Sequence, residues 1–158
     1  MNKFQRLVSN RFKFKLFLIS KLPLAWIAGV RVREFSSVKA SVSVPFKWLS
    51  QNPFHSTYFA ALSMAAEMST GILVLNETFD RKQSVSTLVR RIEADFIKKA
   101  VNITTFTCHD GMAVKELVDR AISTGEAQQI EMQSIGLSEQ GEEVARFKLT
   151  WGLKAKSK

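Results

Sequence analysis

NPFHSTYFAALSMAAEMSTG, residues 52–71, decides how the rest of the chain is read. After a polar entrance it runs as a helix from Ser56 to Thr70, with Ala60, Ala61, Leu62, Met64, Ala65, Ala66 and Met68 spread around it. At 1.5 Å per residue that helix spans about 22 Å. A helix apolar on nearly every side has to be enclosed by other structure. Its one carboxylate, Glu67, is the only acid between Glu34 and Glu77. Either Glu67 points to solvent, or the enclosure desolvates it and raises its pKa towards the range in which a carboxylate works as a base.

What encloses the helix is written on both sides of it. Upstream, Val30 and Val32 alternate with Arg31 and Arg33. Val38, Ala40, Val42, Val44 and Phe46 then alternate with Lys39, Ser41, Ser43 and Pro45. This period of two predicts an antiparallel hairpin turning near Phe35–Ser37. Downstream, VLNETFDRKQ (74–83) has no clear period and reads as a connection. VSTLVRRIEADFIKKA (85–100) reads as a strand, with Leu88, Arg90, Ile92, Ala94 and Phe96 on one side. NITTFTCH (102–109) is another strand, and MAVKELVDRAIST (112–124) is a short helix. AQQIEMQSIGL and EVARFKLTWGL flank the turn SEQGE, which suits a closing hairpin. Runs of strands with few helices indicate an α+β fold with an antiparallel sheet. A sheet curled around the apolar helix would bury it, and the small alanines would let the sheet approach closely.

The 158 residues fit one domain. Residues 1–28 are expected to form an N-terminal helical extension and residues 29–155 the main domain. Residues 3–20 read as a mostly amphipathic helix, which Pro23 breaks. Residues 1–50 hold ten Lys and Arg against one acid, Glu34, whereas residues 51–158 hold thirteen of each sign. All the net charge of +9 therefore lies in the first third. A basic segment interleaved with phenylalanines suits an anionic membrane surface, or a phosphate-bearing ligand; a solvated helix face is the plainer alternative. Its longest clean apolar run is Leu16–Ile19, too short for a signal-peptide core or a spanning helix. A single cysteine, Cys108, excludes an internal disulfide, and with two histidines it provides no zinc-ligand spacing. A reducing cytoplasm is the expected compartment.

An apolar central helix wrapped by an antiparallel sheet is the hotdog fold, and NPFHSTYFAALSMAAE resembles the active-site segment of hotdog acyl-CoA thioesterases. In the phenylacetate-pathway branch an asparagine precedes a His-Gly-Gly by six residues, and an acid follows that histidine by nine. The asparagine falls here on Asn52, the His-Gly-Gly on Tyr58, Phe59 and Ala60, and the acid on Glu67. Residues 85–100 resemble the strand of that branch ending in Phe-Leu-Arg-Pro-Ala. Over nearly its whole length the chain is similar to a bacterial thioesterase-like subfamily with an N-terminal helical extension, here carrying Pro23–Trp26 and Asn52–Phe54.

The resemblance implies a homodimer or tetramer, an acyl-CoA or other acyl thioester as substrate, and no cofactor beyond the coenzyme A of that substrate. No nucleic acid is expected as a partner. It implies Glu67 as the base for water and Asn52 as a holder of water or of the carboxylate. Amides around Tyr58, Phe59 and Ala60 would be donors to the oxyanion, and His55 a substrate contact. The bulk of Tyr58-Phe59-Ala60 departs from the family's glycines. That departure admits a second expectation, a non-catalytic acyl or lipid-binding hotdog protein, membrane-peripheral through its basic helix. Cys108 and His109 are adjacent and alternate across a strand, which does not suit a nucleophile–base pair.

Overall fold

The computed structural model describes residues 2–156. Three short helices open the chain: α1 (Lys3–Ser9), α2 (Arg11–Lys21) and α3 (Pro23–Ala28). The single helix expected over residues 3–20 is thus two. Asn10 separates them, because its backbone N–H closes α1 on Leu7 O at 3.3 Å while its side chain caps α2 at Lys13 N, 3.0 Å. An asparagine that can stop one helix and start the next is a stronger signal than apolar periodicity running through it. Phe4, Phe14 and Leu18 of these helices are buried in the common core.

The strands are β1 (Arg31–Phe35), β2 (Ala40–Val44), β3 (Val85–Phe96), β4 (Thr104–Cys108), β5 (Gln128–Leu137) and β6 (Glu143–Ala155). They form one antiparallel sheet in the order β1-β2-β4-β5-β6-β3. The long helix α4 (Phe59–Thr78) lies against its inner face, and α5 (Gly111–Thr124) packs on α4 and β5. This is the hotdog architecture, α+β with the sheet wrapped around a central helix. Val42, Val44, Phe106, Met132, Phe147 and Leu149 meet Ala61, Leu62, Ala65 and Leu73 in the core.

Both ends of α4 differ from the sequence expectation. It starts at Phe59 rather than Ser56, because Thr57 is held extended from outside: its N–H and Oγ1 both donate to Ala100 O, at 2.8 and 3.1 Å. It continues to Thr78, so the first half of the expected connection is helix. Gly71 does not end it; that glycine is an interior position whose missing Cβ is used by its neighbours.

β3 changes phase. A bulge between Val89 and Arg91 shifts the register against β6, so Val89 pairs with Trp151 but Ile92 pairs with Leu149. Cross-strand partners share a face. Val85, Thr87 and Val89 therefore point inward before the bulge and Ile92, Ala94 and Phe96 after it, in place of the single even-numbered face expected. β3 is also an edge strand, and Ile92 and Phe96 stay about half exposed.

Two buried hydrogen bonds fix α4 to the sheet: Ser69 Oγ with Ser134 Oγ at 2.7 Å, and Trp151 Nε1 donating to Thr70 Oγ1 at 2.9 Å.

Candidate functional site

The segment before α4 is a closed loop built on Asn52. Its Oδ1 accepts from Phe54 N at 2.9 Å and Ser56 N at 3.3 Å, and its Nδ2 donates to Ser56 Oγ at 3.1 Å. Asn52 N also donates to Ser56 O at 2.9 Å. The loop is tight enough to hold His55 in the left-handed region, at φ 56°, and leaves its side chain exposed at the tip. An isolated bridge between Gln51 and Thr57, and Tyr58 N donating to Ser50 O at 2.7 Å, seal the loop's base. Asn52 thus positions the start of α4, with its side-chain amide engaged by the loop.

α4 begins without a side-chain cap at Tyr58. Ala61 N and Leu62 N turn back to Tyr58 O, at 2.9 and 3.2 Å. Among the described residues the Phe59 and Ala60 amides have no acceptor. Two free N–H groups at the positive end of a 20-residue helix are suited to a developing oxyanion. Phe59 lines a groove of about 580 Å³ together with Asn52, Thr57, Tyr58, Leu62, Phe96, Lys98 and Lys99. The aromatic side chains form a chain of edge contacts: Tyr58 to Phe59 at 4.8 Å, Phe59 to Phe96 at 6.5 Å, Phe96 to Phe147 at 5.7 Å.

Glu67 lies two turns further along α4, outside this groove. It belongs to the stripe of the helix that the sheet leaves uncovered, with Phe59, Ser63 and Met64 only partly buried or exposed. Burial raises the Glu67 carboxyl above its ordinary pKa. Among the described residues that carboxylate has no hydrogen-bond or ion-pair partner. Its Oε1 occupies space left by Gly71: a Cβ there would lie 3.2 Å from Oε1 and 3.4 Å from Trp151 Cζ2. The carboxylate therefore bends towards the C-terminal end of α4, into space beside Gly71 that the Trp151 ring also borders. An apolar wall with no compensating donor favours the protonated form and makes the ionised form a stronger base.

The structure accordingly brings Asn52, Tyr58 and Phe59 to one groove, leaves His55 at a loop tip, and sets Glu67 apart. Gly71 and Trp151 complete the environment of Glu67. Gly71 sits one helical turn after the acid, a spacing that marks it as a neighbour; Trp151 arrives from β6 and carries no comparable signal. Cys108 is fully buried and its thiol is pushed up to about 12, mainly by desolvation, which leaves it protonated and inert.

Solved structures share this fold. A Pseudomonas aeruginosa protein of unknown function, named a probable thioesterase, superposes with a TM-score of 0.79 at 20% identity, over 92% of this chain and 96% of that one. A Chlorobaculum tepidum protein of unknown function gives 0.77 at 15% identity, over 92% and 94%. A Haemophilus influenzae thioesterase gives 0.63 at 15% identity, over 88% and 87%. At these identities the likeness is one of fold. No curated protein sequence matches the chain. Residues 10–153 match the family described as a domain of unknown function, DUF4442, and the chain belongs to that family.

Proposed function

We propose that this protein hydrolyses an acyl thioester of the acyl-CoA class, with Glu67 as the base that activates water. The observation that carries the reading is the Glu67 carboxylate itself. It is desolvated and, among the described residues, unpartnered on the uncovered stripe of an otherwise apolar helix, where its ionisation lowers stability rather than adding to it. Donors for the oxyanion are the free Phe59 and Ala60 amides, and the aromatic groove beside them accepts an acyl chain. The relatives of like fold that carry the name thioesterase are consistent with this chemistry.

The same geometry argues for a second copy. Phe59 and Glu67 are eight residues apart, about 12 Å along the helix, and the carboxylate leans further away. One carbonyl has to lie about 3 Å from both its activated water and its oxyanion donors. A single α4 cannot satisfy both, whereas α4 helices of two copies, facing each other along their uncovered stripes, can. The half-exposed inner face of the edge strand β3, with Ile92 and Phe96, supplies apolar surface continuous with Phe59 for such a homodimer.

The test is release of free CoA from an acyl-CoA panel by the wild type and Glu67→Gln. A loss of about 10²–10⁴-fold is expected for removal of a general base. Equal, background-level hydrolysis by both proteins would overturn the enzyme reading in favour of a non-catalytic acyl-binding protein, which the bulk of Tyr58 and Phe59 otherwise suits. Sharing of the site is tested by co-expressing Glu67→Gln with Phe59→Pro. Tyr58, at φ −61° and ψ 134°, is compatible with a following proline, so the second variant removes one donor amide without breaking α4. Random pairing restores about a quarter of wild-type turnover if each site draws on two chains. No recovery would show that it does not.

A further inference from the structure

We infer that the face formed by α2, α3 and the 3₁₀ turn Trp48–Ser50 docks on an anionic lipid bilayer. Helix α2 carries two apolar faces, and the fold uses one. Phe14 and Leu18 are 7% and 3% exposed against the core, whereas Phe12, Leu16 and Ile19 recur at i, i+4 and i+7 on the opposite side. Phe12 is 70% exposed and Leu16 51%. The second stripe continues on the neighbouring elements, with Leu24 and Ile27 of α3 and then Trp48, 80% exposed. α3 packs against both α2 and the turn, so these exposed residues sit on adjoining elements.

Lysines flank the stripe. On the helical wheel of α2, Lys15 lies to one side of Phe12, Leu16 and Ile19, and Lys13 to the other; Lys21 and Lys47 follow at the ends of the helix and of the turn. Among the described residues none of the four has a carboxylate partner. The only acid in the first 50 residues, Glu34, is taken by Lys39 at 2.8 Å. An apolar ridge with an exposed tryptophan and a one-sign rim matches the acyl boundary and phosphate layer of an anionic membrane leaflet. A second copy of the chain fits this face poorly, because symmetric pairing would set lysines against lysines with no acid to offset them.

This inference stands apart from the hydrolase reading. The test uses the full chain with vesicles of phosphatidylcholine alone or of phosphatidylcholine with phosphatidylserine, at low and high salt. Sedimentation with the phosphatidylserine vesicles at low salt is expected, with little binding to the neutral ones and a marked loss at high salt. Lys13→Gln/Lys15→Gln/Lys21→Gln is expected to weaken binding on the order of 100-fold, and Leu16→Asp/Leu24→Asp at least tenfold. Bilayer-embedded bromolipids should quench Trp48 fluorescence in the wild type, and Trp48→Phe should lose that quenchable fraction. This readout needs no variant that disturbs the fold. Absence of binding at low salt overturns the inference, as does unchanged binding by the double aspartate variant. An oligomer that the aspartates dissolve while vesicle binding persists would assign the face to a second copy.

Discussion

Gly71→Ala separates what the central helix needs for stability from what Glu67 needs for chemistry. Gly71 is interior to α4, where replacing glycine by alanine stabilises a helix by about 0.5–1 kcal/mol. Against this stands crowding. The new methyl would lie 3.4 Å from Trp151 Cζ2, an ordinary contact, and 3.2 Å from Glu67 Oε1, which is tight. The tight partner is the free end of a flexible side chain with no hydrogen bond to hold it, so it swings aside at little expense. The expected result is a net gain approaching 1 kcal/mol and a rise in Tm of about 2–4 °C for a chain of this size. Activity should move the other way, because displacing a reacting group by about 1 Å can cost about 10²-fold. Thermal melts followed by circular dichroism and CoA release measure the two effects. In a Glu67→Gln background the stability gain should persist, with no further loss of turnover. Full activity in Gly71→Ala would refute the role of the carboxylate's position, and a fall in Tm would refute the claim that the side chain yields.

Other consequences are open to direct measurement. Burial raises the Glu67 carboxyl pKa, so the folded chain holds that proton more tightly than the unfolded one. Its contribution to stability is fully present below the ordinary carboxylate range, falls as pH rises through the raised value, and is then constant. Urea titrations across pH should show this decline in the wild type and its absence in Glu67→Gln, which is also the more stable protein near neutrality. Ser69→Ala leaves the buried Ser134 hydroxyl without its partner and is expected to cost about 1–3 kcal/mol, whereas Ser134→Ala should cost less, because Ser69 Oγ keeps its bond to Ala66 O at 2.7 Å. The double variant should cost clearly less than the sum, as a urea-derived double-mutant cycle would reveal. Cys108, with a thiol near 12, should resist alkylation in the native protein at pH 8 and react at the rate of a free cysteine only after unfolding.

Most of the fold was legible because its signals are local. The alternation of valines with serines and arginines drew the β1–β2 hairpin, and the nearly all-round apolar surface of the helix read over residues 56–70 required a wrapping sheet. The misplaced boundaries trace to contacts that cross the chain or to single residues with more than one role. Thr57 looks like a helical residue until Ala100, forty-three positions away, takes both its donors. Gly71 looks like a terminator until its missing Cβ is seen to house a carboxylate. The phase of β3 turns on one unpaired residue, Arg90, within a run that reads equally well in either register. Glu67 stood out by contrast, as one charge in a neutral helix, and by its place in the segment that resembles the thioesterases. The resemblance pointed to donor amides around Tyr58–Ala60, but which of them are free depends on where Thr57 lets the helix begin.

The two hydroxyl bonds between α4 and the sheet bear on orientation as much as on energy. An alanine-rich cylinder in an apolar sleeve is nearly smooth, and dispersion forces resist neither its rotation nor its sliding very strongly. Ser69 to Ser134 and Thr70 to Trp151 act like a key in a shaft. They engage consecutive residues, whose directions differ by about 100° around the helix axis, and so lock its angular setting. Thr70 follows Glu67 by three residues and also donates to the Glu67 carbonyl at 2.9 Å. The azimuth of the acid is therefore indexed to the sheet by a tryptophan eighty-one residues away in sequence, and drift in the sequence of the sleeve can be absorbed without turning the carboxylate out of line.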